Sequence, residues 1–169
     1  RLGKLTTPHG VIETPSFVAV GTQATIKSLT PEQASDTGTQ VIFANTYHLY
    51  LRPGQEVVAA HGGVHKFMNW SRPVMTDSGG FQAYSLIRQN AKYGKLTNDG
   101  IVFQPDGAAR KYQLTPEKCI QLQMSYGADI IMCLDDCTHV DDPPATQQES
   151  VRRTIAWAKR CREEFDRLV

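Results

Sequence analysis

The chain repeats one local pattern, in which a short apolar run ends in small or polar residues and a segment with helix signals follows. The runs are SFVAVGTQAT, VIFANTYHLY, PVMTDSGGFQ and ADIIMCLDDC, in that order. Runs that are apolar throughout are typical of strands buried on both faces, so their alternation with helices predicts a parallel sheet covered by helices. Two α/β architectures satisfy this pattern: an open doubly wound sheet and a (β/α)8 barrel.

Local signals place helices and two hairpins between these runs. Thr30 is a good N-cap and Pro31 suits a first helical position, so a helix is predicted to begin there. Asn98-Asp99-Gly100 and His9-Gly10 each predict the turn of a hairpin. The other boundary signals are Gly62-Gly63 and Gly127 as helix ends, Thr115-Pro116 as a helix start, and Ala145 as the approximate start of a last helix.

Polar residues gather where each apolar run ends, which is where functional groups collect in a barrel. The first run is not followed by a GxGxxG fingerprint, so a dinucleotide-binding doubly wound sheet is not favoured. Only four parallel strands can be counted, whereas a barrel has eight strands and about 250 residues. The pattern therefore favours a barrel over a doubly wound sheet, with this chain as about half of it. The run-ending residues are Gly21-Thr22, Asn45-Thr46, Asp77-Ser78 and Asp135-Asp136.

Charge and apolar content exclude few classes of protein. The net charge is +1, from 18 basic and 17 acidic residues, and it neither indicates nor excludes a nucleic-acid partner. Residues 150–169 hold six Arg or Lys against three acids, which suits a solvated helix face or a phosphate-facing surface. The apolar runs are too short to cross a bilayer and no secretion signal is visible, so no membrane partner is expected.

The four cysteines are not arranged in CxxC pairs. This spacing favours reduced thiols in the cytoplasm, with a zinc site built from the four as the alternative. They are Cys119, Cys133, Cys137 and Cys161.

The segment TDSGGFQ carries the strongest site signal. Asp77 on its own is compatible with a simple helix cap. Two glycines follow within three residues, however, and they allow backbone amides to approach a ligand closely. Phe81 adds a flat apolar face, and Gln82 adds a donor and an acceptor. Together these residues predict a site for a planar heterocycle that bears N–H groups.

A second carboxylate pair closes the fourth run. Neighbouring strand residues face opposite sides, so only one of Asp135 and Asp136 is expected to point into a barrel mouth, where it can read the edge of a guanine-like base. A metal site in DDCTHVDD is the competing interpretation, although regular ligand spacing is absent. Paired use of Asp77 and Asp135 in glycoside hydrolysis is a third. His48, beside aromatic residues, is interpreted as a core histidine, and serine nucleophile motifs are absent.

At this point several segments, taken in order, resemble one known family. TPHGVIETPSFVAVGTQATIKSLTPEQ, NTYHLYLRPG, HKFMNW, TDSGGFQ and ADIIMCLDDC are similar to the amino-terminal part of tRNA-guanine transglycosylases, the queuine tRNA-ribosyltransferases. The resemblance covers essentially the whole chain. It implies an α/β fold, a (β/α)8 TIM barrel with insertions, of which this chain supplies roughly the first half. Residues 1–169 are then the amino-terminal part of the TIM-barrel catalytic domain, without its carboxyl-terminal half and zinc subdomain.

The resemblance implies a pentosyltransferase reaction of queuosine biosynthesis. Guanine at the wobble position of tRNA with a GUN anticodon is exchanged for a 7-deazaguanine, preQ1 or queuine, through a covalent tRNA–enzyme intermediate. It implies Asp77 as the proton acceptor. It assigns the substrate-binding residues Asp77, Ser78, Gly79, Gly80, Phe81 and Asp135, with Asn45 and Cys137 beside them.

The resemblance also sets expectations beyond this chain. The covalent nucleophile and the ligands of a structural zinc ion lie in the later part of family members, so no cofactor is expected on this chain, and the chain alone is expected to be inactive. A cytoplasmic homodimer, or a complex with a partner subunit, is implied. Cys137 favours preQ1. The alternative is a non-catalytic subunit that binds tRNA or the base.

Overall fold

The computed structural model describes residues 1–169, which form two compact units. Unit 1 consists of Arg1–Asp77 and Leu122–Met132, and unit 2 of Ser78–Gln121 and Cys133–Val169. Both units combine helices with sheets, in agreement with the predicted α/β class.

Unit 1 opens with an antiparallel hairpin and continues into a parallel sheet. Strands β1 (Gly3–Thr7) and β2 (Gly10–Thr14) form the hairpin predicted around His9-Gly10. Strands β3 (Val18–Val20), β4 (Val41–Ala44) and β5 (Val74–Thr76) pair in parallel in the order β3-β4-β5. Val41, Ile42 and Val74 are buried at 1% exposure or less, as expected for strands covered on both faces.

Short helices connect the strands of unit 1. They are α1 (Pro31–Asp36), α2 (Thr46–Leu51), α3 (Gln55–Ala60) and α4 (Val64–Met68). The predicted start of α1 is confirmed, since Thr30 and Gln33 form a reciprocal capping box. The run VIFANTYHLY is a strand only as far as Ala44. Asn45 then caps α2, because its side-chain oxygen accepts the His48 N–H at 3.4 Å.

The predicted fourth strand is reduced to one bridge. Helix α6 (Pro116–Tyr126) ends before Gly127, whose φ is 69°, and Ile130 forms an isolated parallel bridge with Met75. Further pairing does not follow, because the buried Gln123 side chain takes the place of a strand neighbour. It accepts the Met132 N–H at 2.9 Å and donates to the Met132 carbonyl at 2.7 Å. The prediction of a full strand in ADIIMCLDDC was therefore wrong.

Unit 2 contains the third sheet of the chain, which has three antiparallel strands. Helix α5 (Gly80–Gln89) and a 3-10 turn (Ala91–Tyr93) lead into strands β6 (Gly94–Thr97), β7 (Gly100–Phe103) and β8 (Tyr112–Leu114). The hairpin predicted at Asn98-Asp99-Gly100 joins β6 and β7. The last helix, α7 (Pro144–Leu168), starts one residue before the predicted Ala145 and buries Trp157 completely. No helix is both long and apolar enough to cross a membrane.

The arginines of α7 bind carboxylates of their own unit. Five of the six basic residues in this region form ion pairs, which favours the helix-face interpretation over a phosphate-facing surface. These residues are Arg152 and Arg153 with Glu149, Arg153 also with Asp136, Arg160 with Glu117, Arg162 with Asp166, and Arg167 with Glu164.

Candidate functional site

Asp77 directly follows β5 and lies beside the residues that follow β4. The two strands pair in parallel with Ala44 opposite Thr76, so Asn45 and Asp77 leave the sheet at the same edge. Asn45 Nδ2 donates to Asp77 Oδ2 at 2.6 Å, and the Thr46 N–H donates to Asp77 Oδ1 at 2.7 Å. The strand register thus brings together two predicted site residues, Asn45 and Asp77.

The Asp77 carboxylate does not cap the helix that follows it. That helix, α5, has Gly79 at its N-cap position and lacks a side-chain cap bond. Asp77 instead accepts from Thr46, the first residue of α2, where backbone N–H groups have no partner within the helix. Asp77 is half-buried, so these charge-assisted bonds fix its orientation without closing it off from solvent.

In unit 2, Ser78, Gly80 and Asp135 form a second group of predicted site residues. The buried Ser78 hydroxyl donates to Asp135 Oδ1 at 2.9 Å and accepts the Gly80 N–H at 3.1 Å. A Cβ atom at Gly80 would lie 2.9 Å from the Asp135 carbonyl oxygen and 3.2 Å from Leu134 Cδ1. Glycine is therefore required at position 80, because any larger residue would push the Asp135 segment away.

The remaining residues of TDSGGFQ shape the start of α5. Gly79 has a left-handed φ of 77°, which turns the chain from Ser78 into the helix at little steric cost. The Phe81 side chain is 58% exposed, so its ring can stack on a flat ligand. Gln82 Oε1 is buried without a hydrogen-bond partner. Buried acceptors are nearly always bonded, so this oxygen is a candidate contact for a ligand or a bound water molecule.

Asp136 and Cys137 do not bind the Ser78 hydroxyl that Asp135 accepts. Asp136 forms an ion pair with Arg153, so it turns to a different partner from that of Asp135. Burial raises the pKa of the Asp136 carboxyl, although Arg153 opposes this effect. Burial also raises the pKa of the Cys137 thiol, and the charges of Asp135 and Asp136 act in the same direction. Cys137 is thus expected to be a neutral thiol at physiological pH.

The structure gives little support to a metal site in DDCTHVDD or to a catalytic role for His48. The Asp142 side chain accepts the His139 N–H at 2.8 Å and binds Arg88, so DDCTHVDD does not converge on one point. His48 packs edge-on against Tyr47, and burial lowers the pKa of its imidazole, as suits a core histidine. None of the four cysteines forms a disulfide bond.

Two supporting residues were not among the predicted site residues. Thr46 binds Asp77 through both its backbone N–H and its hydroxyl, and Arg153 neutralises Asp136. The position of Thr46 directly after a predicted strand was a usable signal, because carboxyl ends of neighbouring parallel strands meet at one edge. The ion pair of Arg153 could not be predicted from the local sequence, because its partner Asp136 lies 17 residues away.

Comparison with known proteins agrees with the resemblance seen in the motifs. A family model described as queuine tRNA-ribosyltransferase matches residues 1–168. Among curated relatives, a queuine tRNA-ribosyltransferase of Halothermothrix orenii is 46% identical over 167 residues, which is 99% of this chain and 44% of the relative. Proteins of the same name from Caldanaerobacter subterraneus and Lactococcus lactis are 50% and 49% identical over 95% of the chain, covering 42% and 41% of their own lengths.

Proposed function

Because the chain belongs to the queuine tRNA-ribosyltransferase family, we propose that its protein exchanges a guanine of tRNA for a 7-deazaguanine base. The chain spans less than half the length of the three curated relatives described above. The proposal therefore concerns the whole protein, with residues 1–169 supplying one part of the active site and the covalent nucleophile lying elsewhere.

The observation that carries the proposal is the oriented carboxylate of Asp77 at the end of β5. The nucleophile elsewhere in the protein forms a bond to ribose C1′ as guanine leaves and takes a proton. The incoming base then displaces that nucleophile from C1′ and must lose its N9 proton as the new N9–C1′ bond forms. Asp77 accepts this second proton, because its carboxylate is held at the strand edge by Asn45 and Thr46 and remains half-exposed.

Asp135 supplies recognition of the base edge. One carboxylate oxygen is engaged by Ser78 at 2.9 Å, and a carboxylate has further lone pairs to accept N–H groups of a guanine-like edge. Phe81 stacks on the face of the base. Gln82 Oε1, which lacks a partner, is a further acceptor for a donor on the base or for a bridging water.

A (β/α)8 barrel is the architecture proposed for the complete domain. The parallel strands β3, β4 and β5 follow one another in chain order, and Ile130 adds a bridge next to β5. A barrel requires this sequential order, whereas a doubly wound sheet reverses its order at a switch point.

The other partners follow from the family. We propose tRNA with a GUN anticodon as the nucleic-acid substrate and preQ1 or queuine as the incoming base. We also propose that the protein acts in the cytoplasm as a dimer or in a complex with a partner subunit. The family's structural zinc does not fit the cysteines of this chain. Cys119 and Cys161 are buried, and their thiols donate to carbonyl oxygens at 3.5 and 3.4 Å.

The test measures incorporation of labelled guanine into GUN-anticodon tRNA by the full-length protein. Asp77→Asn keeps the size of the side chain but removes its basicity, so we expect turnover to fall by at least about 100-fold. Asp106→Asn, on an exposed loop, is the matched control and should retain wild-type turnover.

Two results would contradict the proposal. Full exchange by Asp77→Asn would remove Asp77 from the mechanism. A wild-type protein that binds tRNA but never incorporates guanine would instead identify a non-catalytic subunit.

A further inference from the structure

Three potential metal ligands that are far apart in sequence meet in unit 1. His9 lies in the turn between β1 and β2, His65 in the first turn of α4, and Asp129 next to the residue that bridges β5. His9 Nδ1 lies 2.7 Å from Asp129 Oδ1, and His65 Nε2 lies 3.0 Å from Asp129 Oδ2. One carboxylate therefore faces a nitrogen from each of two imidazole rings.

The carboxylate at the centre of this group is fully enclosed and firmly held. The Asp129 side chain has 0% exposure, and its Oδ2 also accepts the Val74 N–H at 2.9 Å. Carboxylates that bind metals are commonly held by such additional hydrogen bonds, which fix the direction of their lone pairs. Asp129 thus has the rigidity expected of a ligand.

The two rings are parallel and partly open to solvent. Their centroids are 3.6 Å apart and their planes differ by 15°. His65 is nearly buried, with 10% of its side chain exposed, whereas the His9 side chain is 40% exposed on a hairpin turn. The stacking holds one nitrogen of each ring toward the same Asp129 carboxylate.

Both rings line a cavity of about 650 Å³ on the surface of unit 1. Its wall also contains Glu32, Asp36 and Trp70. The cavity gives access to the two rings and leaves room for a water molecule or another ligand beside them.

We infer that His9 Nδ1, His65 Nε2 and an Asp129 carboxylate oxygen form a binding site for a divalent transition-metal cation of the zinc type. The ligand atoms all lie within 4.8 Å of one another. Tetrahedral zinc, with bonds of about 2.0–2.2 Å, needs ligand atoms about 3.3 Å apart. Two imidazoles and a carboxylate suit zinc better than magnesium or calcium, which prefer oxygen ligands.

Binding requires only a small rearrangement. The metal replaces the protons shared between the rings and the carboxylate, so these protons are released. The parallel rings must tilt toward the ion, and His9 can do so because it lies on an exposed turn. A water molecule from the cavity that both rings line would serve as the fourth ligand. Bound metal would tie the first hairpin and α4 to the segment that extends the parallel sheet.

The test compares metal binding by the full-length protein and its variants after removal of metal with a chelator. Zn²⁺ is titrated in competition with a chromophoric chelator. Wild type is expected to bind one more equivalent of Zn²⁺ than His9→Gln or His65→Gln. If a variant still binds Zn²⁺ at this site, its affinity should be at least about tenfold lower than that of wild type. His61→Gln, on a nearby exposed turn, is the control and should bind as wild type does.

Co²⁺ provides a second readout, because tetrahedral Co²⁺ gives intense visible absorption bands. These bands should weaken in His9→Gln. His9 is 40% exposed, so the fold should be kept, and circular dichroism checks that it is intact. Equal Zn²⁺ stoichiometry and equal Co²⁺ spectra for wild type and both variants would overturn the inference and leave the three residues as a hydrogen-bonded clamp. Neither outcome depends on base exchange.

Discussion

Individual charged residues are enclosed to different degrees, and Asp136 is among the most deeply enclosed. Its side chain is 6% exposed, and that of its partner Arg153 is 17% exposed. A buried charge is tolerated only when it is paired, and removing one partner leaves an uncompensated charge. Asp136 is adjacent to the proposed base-reading residue Asp135, so its ion pair also stabilises the local backbone of the candidate site.

We predict that Arg153→Met destabilises the protein by about 3 kcal/mol at pH 7. Burial already raises the pKa of Asp136 above its ordinary 3.8, and loss of Arg153 raises it further. The folded state then binds a proton more readily than the unfolded chain, so the variant loses stability as the pH rises and recovers it as the pH falls toward 4. Urea unfolding across this pH range measures the effect.

The control for this prediction is Arg152→Met, which removes an exposed pair with Glu149 and should cost less than about 1 kcal/mol at every pH. Adding Asp136→Asn to Arg153→Met should restore part of the lost stability. A pH-independent loss in Arg153→Met would show that the ion pair is not the cause.

Among the elements, the end of the parallel sheet depends on one buried glutamine. Gln123 has 0% exposure and binds the Thr76 hydroxyl at 2.9 Å as well as both backbone groups of Met132. A side chain thus takes over the hydrogen bonds that a further strand residue would receive. This arrangement fixes the chain as it leaves the sheet.

Gln123→Leu should destabilise the protein by about 2–4 kcal/mol, because buried polar groups lose a partner while the volume of the side chain is nearly kept. Amide hydrogen exchange at Ile130 and Met132 should become faster than in wild type. Gln148→Leu, at an exposed position on α7, is the control and should change neither quantity. Unchanged protection at Met132 in Gln123→Leu would contradict the proposed role.

At the scale of the whole molecule, the chain presents an unpaired sheet edge. β3 pairs with β4 alone. Its last residue, Val20, is 60% exposed, and Phe17, directly before the strand, is 81% exposed. An exposed apolar edge strand is a template for pairing with another chain. In a complete barrel, this edge would be paired with a further strand.

The isolated 169-residue chain should therefore self-associate, and Val20→Lys should reduce the association by placing a charge on the edge. Sedimentation velocity over a range of concentrations measures both effects. Val151→Lys, at a similarly exposed apolar residue of α7, is the control. A monomeric chain with a sharp two-state melting transition would argue against an open edge.

Several helix boundaries, both hairpin turns, the fold class and the family could be predicted from short sequence segments. The capping box at Thr30, the hairpin turns near Gly10 and Gly100, and the helix end at Gly127 are set by backbone preferences within a few residues. The family was readable from its ordered motifs, and the comparisons confirm it. The α/β class followed from the alternation of apolar runs with helix signals.

Only the tertiary structure decided which distant groups meet. The bonds from Asn45 and Thr46 to Asp77 depend on the register of β4 and β5, and the meeting of His9, His65 and Asp129 depends on chain segments more than 50 residues apart. The shortened fourth strand has the same origin, because Gln123 outcompetes strand pairing at Met132. Local patterns reflect the conformational preferences of neighbouring residues. Hydrogen-bond partners that are distant in sequence are determined by tertiary packing, and nothing in the sequence of one segment identifies the other.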